Sequence, residues 1–358
     1  MAFQFSQAND LLPQLHLNRS TLFSLDDSYI YDVNANSSHV VVSASNHQIK
    51  LYNPATLSIA LTLDYHTEKI SKILTHGEQM IFSASMDGSI ARWDLRTPAS
   101  PVQIFQAHMP LCSFDINSNE AMIAAGTELV VSEAKLKFFD TRQTKQIAEF
   151  VESHNDDITH IQCHPTIPTQ LISASTDGLI CNYSVEQFDE DEAILSVINS
   201  GSSVNRAGYF GPNSEYVYCL THIETLSLHS IEGDLISDFQ DIRKATQPGL
   251  LEVDYAIDCQ YDAATQRLYL IAGSNSGDIN LMHVNVGQLQ LCQSLKGGHT
   301  EVVRSVAWNP QTNILYSGGE DSKLCTWTTT PGIIEPASGN SVARGVPSRM
   351  QAKRHSPY

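Results

Sequence analysis

ILYSGGEDSKLCTW, residues 314–327, is the stretch whose reading decides the fold. A short apolar run, Ile314-Leu315-Tyr316, gives way to the small residues Ser317-Gly318-Gly319. An acidic turn, Glu320-Asp321-Ser322, then leads into a second run that ends on Trp327. Two half-buried strands joined by a tight turn account for this pattern, because side chains on a strand alternate between its faces. The same phrase recurs upstream as VVVSASNHQIKLY at 40–52, MIFSASMDGSIARW at 80–93 and QLISASTDGLICNY at 170–183. Weaker copies read AMIAAGTE followed by KLKFF, YVYCLTHIETLSLH, and LYLIAGSNSGDINLMH.

One small residue in each copy serves as a marker: Ser45, Ser85, Gly126, Ser175, Thr221, Ser274 and Gly319. Their spacings of 40, 41, 49, 46, 53 and 45 residues match the roughly 40–45 residues of a four-stranded propeller blade with loop insertions. Seven markers predict an all-β chain folded as a single seven-bladed β-propeller. The Asp-Gly pairs Asp87-Gly88 and Asp177-Gly178 supply the positive φ that a tight hairpin turn requires. No blade covers both of its faces alone, so stability must come from stacking around the ring.

Such a ring has to close. After Trp327 the chain reads TTTPGIIEP, and Pro331 makes it a poor fourth strand. Upstream of the first blade, residues 20–25 (STLFSL) have strand character. They are expected to complete the last blade and so remove an exposed sheet edge. This divides the chain into an N-terminal extension at 1–19, a propeller at 20–332 and a disordered tail at 333–358.

The formal charge is −18, with 21 Lys and Arg against 39 Asp and Glu. The tail holds Glu335 against Arg344, Arg349, Lys353 and Arg354, a net of +3, which leaves −21 on the other 332 residues. A body this acidic repels phosphate backbones and favours a basic protein partner over nucleic acid. No window approaches the roughly 18 apolar residues of a membrane span. The N-terminus lacks the basic head and apolar core of a secretory signal, so the chain is expected in the cytoplasm or nucleus; a monomer is also expected. The seven cysteines, Cys112, Cys163, Cys181, Cys219, Cys259, Cys292 and Cys325, are odd in number and never spaced C-x-x-C. They read as reduced, buried residues rather than disulfides or a zinc site.

The copies resemble the WD-repeat superfamily, whose blades carry Gly-His before the first strand and Trp-Asp at the end of the third. Gly298-His299 with Ser317, Asp321 and Trp327 matches that pattern, and so does His66 with Ser83, Asp87 and Trp93-Asp94. A third set keeps His154, Ser173 and Asp177 but has Tyr183 in place of the Trp. The wording of YVYCLTHIETLSLH, LYLIAGSNSGDINLMHV and GGHTEVVRSVAWN is similar, more narrowly, to the WD repeat-containing protein 89 family. That likeness is strongest over 204–330 and looser over 25–200.

The resemblance implies that these His, Ser, Asp and Trp side chains form a structural hydrogen-bonded network. Their repetition in three blades argues against a hydrolase triad, since an active site is built once. No G-x-S-x-G elbow and no phosphate-cradling glycine loop occurs, so neither catalysis nor a cofactor is expected. By repeat position Glu68, Asp156, Asp157, Glu301 and Glu320 map to one rim. The run Asp189-Glu190-Asp191-Glu192 is placed between the fourth and fifth blades, where it would extend an acidic funnel for a basic ligand. The expected function is that of an interaction scaffold, an escort for a basic protein such as a ribosomal protein or a histone. The family analogy carries this as much as the charge does. An alternative lies in two aromatic-Asp-x-Arg boxes, Trp93-Asp94-Leu95-Arg96 and Phe139-Asp140-Thr141-Arg142. These resemble the box by which some WD proteins dock, as substrate receptors, onto the adaptor of the cullin-4 ubiquitin ligase. The competing explanation is that Arg96 and Arg142 brace their own blades by pairing with nearby acids.

Overall fold

The computed structural model describes residues 3–24, 28–247 and 250–332, and their strands form seven antiparallel blades. The innermost strand of blade one is Ile30–Ala35, of blade two Ile70–His76, of blade three Leu111–Ile116 and of blade four His160–Cys163. Val204–Phe210, Tyr255–Asp262 and Val303–Asn309 open blades five, six and seven. Each innermost strand touches the next, and the seventh touches the first. The result is a closed seven-bladed β-propeller.

The core lies between blades. The second strands are almost fully buried because both of their faces meet neighbours: Val40–Ala44 and Met122–Thr127 are buried at every position. Small residues permit the close approach. A Cβ on Gly126 would sit 2.5 Å from Ile158 Cγ2 of the next blade, so only glycine fits there. Trp93, Trp327, Tyr52 and Tyr183 fill the largest buried spaces. All seven cysteines are free; six are buried, and Cys112 is half-buried.

The ring closes at the N-terminus, as expected. Strand His16–Leu22 pairs antiparallel with Lys323–Thr328 as the outer strand of blade seven, with Ser20 opposite Cys325 and Leu22 opposite Lys323. This strand begins four residues earlier than the expected 20–25 and ends at Leu22. Phe23 turns inward and is buried, while Leu25 lies outside the described residues. The segment before it also joins a sheet. Gln4–Gln7 adds a fifth strand, parallel, to the outer edge of blade six beside Gln288–Leu291. Phe3 and Phe5 pack on the core between blades five and six. The tail 333–358 lies outside the described residues. No helix among those described is long and apolar enough to cross a membrane.

Candidate functional site

Antiparallel alternation sorts the loops into two rims. The loop entering each innermost strand and the turn between the second and third strands share one rim. The turns after the first and third strands share the other.

On the first rim three blades carry the same polar network. In blade seven His299 Nδ1 lies 3.0 Å from Asp321 Oδ1 and its Nε2 lies 2.8 Å from Ser317 Oγ, which also accepts from Trp327 Nε1 at 2.8 Å. In blade two His66 lies 2.9 Å from Asp87 and 2.8 Å from Ser83, and Trp93 Nε1 donates to Ser83 at 3.1 Å. In blade four His154 lies 3.0 Å from Asp177 and 2.6 Å from Ser173, whose hydroxyl is 3.1 Å from that of Tyr183. Each Asp also accepts the backbone N–H that follows its histidine, from Thr67, Asn155 or Thr300. The turn is thereby bolted to the entry loop with its buried polar groups satisfied. Burial works against a charged His154, but the Asp177 carboxylate and the neighbouring Cys181 sulfur together outweigh it and hold the imidazole up at about 9. Burial opposes the Asp321 charge in the same way, yet the His299 hydrogen bond and the N–H donors bring its carboxyl down to about 2. The three histidines are buried and repeat one geometry at three separate places.

The five expected rim acids do share this rim, but they are not equivalent. Glu68 and Glu301 are exposed and Asp156 is half-exposed, its Oδ1 accepting the adjacent Asp157 N–H at 2.9 Å, and none of the three has an ion pair among the described residues. Asp157 is occupied by the backbone N–H of Leu129 at 2.7 Å. Glu320 pairs with Arg304, whose Nε lies 2.7 Å from it. Of these five, the carboxylates without an ion pair therefore sit at the entry loops of blades two, four and seven.

The run 189–192 requires a correction. It lies inside blade four, between strands Leu179–Ser184 and Ile194–Asn199, in a connection that leaves from the opposite rim. Residues 190–193 form a single helical turn. The Glu190 carboxylate accepts the N–H groups of Val151, Glu152 and Ser153 at 2.7–2.8 Å. It fastens the crossing between blades three and four, and so is withdrawn from any funnel. Asp189, Asp191 and Glu192 remain exposed but belong to a connection apart from the rim acids.

Arg96 and Arg142 lie on the second rim, on neighbouring blades, with heads 72% and 76% exposed. Each guanidinium folds back on the aspartate of its own box: Arg96 Nε to Asp94 at 2.8 Å, Arg142 Nε to Asp140 at 3.1 Å. Arg96 holds the Asp94 carboxyl down at about 2. Arg243 makes the same fork on Asp241 at 2.8 Å, although its aspartate ends a fourth strand. The geometry is local bracing that recurs wherever Asp-x-Arg leaves a strand.

Sequence reasoning missed the centre of the ring, a channel of about 780 Å³ lined by Asp32, Lys72, Asp115, His160, Arg206 and Asp258 among others. Its polar side chains stitch neighbouring blades together. Asp32 accepts from Ile73 N of blade two at 2.9 Å and from Ser305 of blade seven at 2.9 Å. Asp115 accepts from Cys163 N of blade four at 2.7 Å, and Arg206 of blade five donates to Asp258 of blade six at 3.0 Å. Burial pushes the Asp32 and Asp115 carboxyls up. The available signal was a charged residue at the channel-facing position of five innermost strands. Among the described residues no cluster of three or more His, Cys, Asp or Glu is placed to hold a metal.

Comparison with known proteins agrees with this geometry. The family model "WD domain, G-beta repeat" matches residues 289–328. The chain is 30% identical over 342 residues to WD repeat-containing protein GTS1 of Arabidopsis thaliana, covering 89% of this chain and 86% of that protein. It is 29% identical over 346 residues to the WD repeat-containing protein 89 homolog of Dictyostelium discoideum, covering 93% and 92%. A shorter match, 28% over 117 residues, covers 32% of this chain and 26% of the ribosome biogenesis protein WDR12 homolog of Oryza sativa.

Proposed function

The chain belongs to the WD-repeat family, a protein-interaction scaffold by fold, and from that premise we propose that it is a non-catalytic escort whose first rim binds a Lys/Arg-rich protein segment. The observation that carries this reading is the set of three carboxylates without an ion pair, Glu68, Asp156 and Glu301, at matching entry loops. They stand on a chain of formal charge −18. Like charges gathered on one rim repel each other, and a basic ligand relieves that repulsion. A ribosomal protein is a ligand of this chemistry, and the ribosome biogenesis name of one relative supports it. The polar networks are read as structural: their histidines are buried, and each is fully engaged by the Asp and Ser of its own blade.

Rim charges act mainly on association rate and its salt dependence. The test is stopped-flow association with the basic protein recovered by affinity purification. Glu68→Lys, Asp156→Lys and Glu301→Lys together should slow association by roughly tenfold or more. Wild-type association should also slow steeply as the screening length falls from about 10 Å at 0.1 M salt to about 3 Å at 1 M. A neutral or acidic main partner, or an unchanged rate in the charge-reversed rim, overturns the reading.

A further inference from the structure

The turn between the second and third strands of blade three departs from the rest of the rim. Between strands Met122–Thr127 and Leu136–Asp140 the chain extends into a small hairpin. There Val130 N donates to Glu133 O at 3.0 Å and Glu133 N to Val130 O at 3.1 Å. Its two central residues, Val131 and Ser132, have φ of 53° and 70°. That is the left-handed region, which Gly and Asn adopt readily and β-branched residues avoid. The sequence nevertheless puts a valine there, and the residue is 92% exposed. Leu129 and Val130 beside it are 38% and 36% exposed. The entry loop of blade three adds Met109 and Pro110, with Pro110 O accepting from Glu128 N at 2.9 Å.

An apolar patch thus stands on the charged rim, beside carboxylates. Asp157 holds Leu129 N at 2.7 Å, Asp156 adjoins it, and Glu128 precedes the patch in the chain. Glu133 is paired with Lys135 at 3.0 Å, while Glu128 and Asp156 have no cation. Exposed apolar patches rimmed by polar groups mark interaction sites, and strain held at an exposed tip points the same way.

We propose that residues 109–110 and 129–131 form the anchor of the rim, and that its occupant is an amphipathic Lys/Arg-rich segment of a partner protein. The segment's apolar face covers Met109, Pro110, Leu129 and Val131, while its cations reach Glu128 and Asp156. Charge complementarity selects this occupant: an acidic or purely apolar segment would bring no partner to those carboxylates. The inference rests on the escort reading and adds what the bound segment must look like.

The probes are two fluorescent 18-residue peptides of identical Leu and Lys content, one with its leucines at helical spacing and one scrambled, together with polylysine. The wild-type chain should bind the patterned peptide roughly tenfold more tightly than the scrambled one, the worth of one buried aliphatic side chain. Val131→Asn with Ser132→Gly removes the apolar tip and installs the residues such a turn prefers, so the fold survives. This variant should bind both peptides at the scrambled level and leave polylysine binding unchanged. Glu68→Lys with Asp156→Lys and Glu301→Lys should weaken all three probes. Equal binding of the two peptides by the wild type, or a preference that persists in the Val131→Asn/Ser132→Gly variant, overturns the anchor and leaves the acidic rim standing. Failure of polylysine to bind in a salt-dependent way overturns the rim reading, and the anchor with it.

Discussion

Blades seven and three are built on the same frame and part company at the rim. Four residues before its innermost strand blade seven has His299; blade three has Ala107, buried, with His108 turned out to solvent. On the second strand Ser317 of blade seven corresponds to Ala125, each two residues beyond the partner of the third-strand aromatic. That aromatic is Trp327 in one blade and Phe139 in the other. The polar network of blade seven is replaced in blade three by an apolar cluster of Ala107, Ala125, Phe139 and Phe105. In blade seven, with the network, the turn is held to three residues, 320–322; in blade three, without it, the turn runs to eight, 128–135. Blade three, without the bolt, keeps its core by apolar packing and gains a surface; blades one, five and six also lack the bolt, but their turns run to only four, three and five residues.

If blade seven owes its order to closure as well as to its bolt, removing the closing strand should do the most damage. Deleting residues 1–24 strips the outer strand from blade seven and opens the ring. Since each blade is stable only against its neighbours, the loss should reach the order of 5 kcal/mol or more, comparable to a whole domain's stability. The melt of the truncated chain should be broad or absent. Deleting residues 1–9 removes the short parallel strand on blade six with the Phe3 and Phe5 contacts to the core but leaves the ring closed, and should cost far less.

The bolt itself comes next. His299→Ala leaves Asp321 and Ser317 without their buried partner and should cost roughly 1–3 kcal/mol. His108→Ala, the nearest histidine in blade three, is exposed and should stay within about 0.5 kcal/mol. Equal effects in a denaturant series would erase the distinction between the blades. A pH series sharpens it. The folded-state pKa of His154, about 9, lies above its ordinary value of about 6.5. The stabilisation from its pairing is therefore fully present below that ordinary value and is lost as pH rises through about 9. Asp321 is depressed to about 2, so its contribution is present above the ordinary carboxylate range and is lost as pH falls through about 2. Asp177→Asn should flatten the alkaline limb of the stability curve, whereas Asp140→Asn, at an exposed box, should not.

The repeat was readable because the small residues and the turn signals fall on the second strand, which is buried on both faces and tolerates little else. Features away from that strand were harder to place. The closing strand was misjudged by four residues because His16–Leu22 is partly or fully exposed throughout and carries no clear alternation. The markers locate second strands only, so the sequence does not show whether the acidic run 189–192 lies within blade four or between blades. The extra length between Ser175 and Thr221 could have lain in any loop, and it lies after the third strand of blade four. Glu320 and Asp157 looked like open rim charges, but Arg304 and the Leu129 N–H that occupy them come from sequence positions no local pattern links. The apolar hairpin was missed because Leu129-Val130-Val131 reads as strand; only the backbone shows it turning at its tip.

The smallest effect separates the two blades most cleanly. In blade seven the turn residue with positive φ is Ser322, at 61°, and it is buried behind the bolt, so packing compensates its conformation. In blade three Val131 is in the same region with nothing packed over it. Left-handed backbone costs an L-residue roughly 1–2 kcal/mol, and a β-branched side chain on a two-residue turn with both φ positive is a poor choice. Val131→Asn with Ser132→Gly should therefore stabilise the chain by about 1 kcal/mol, visible as a melting temperature a few degrees higher. Ser322→Gly should give no such gain, because that position sits in a filled interior and loses its hydroxyl contact with Ser28. A loop that existed only to connect two strands would have no reason to keep a residue whose replacement strengthens the fold. If the double substitution leaves stability unchanged or lowers it, Val131 is supported by its own blade, and the strain that marks this hairpin as a binding surface is not there.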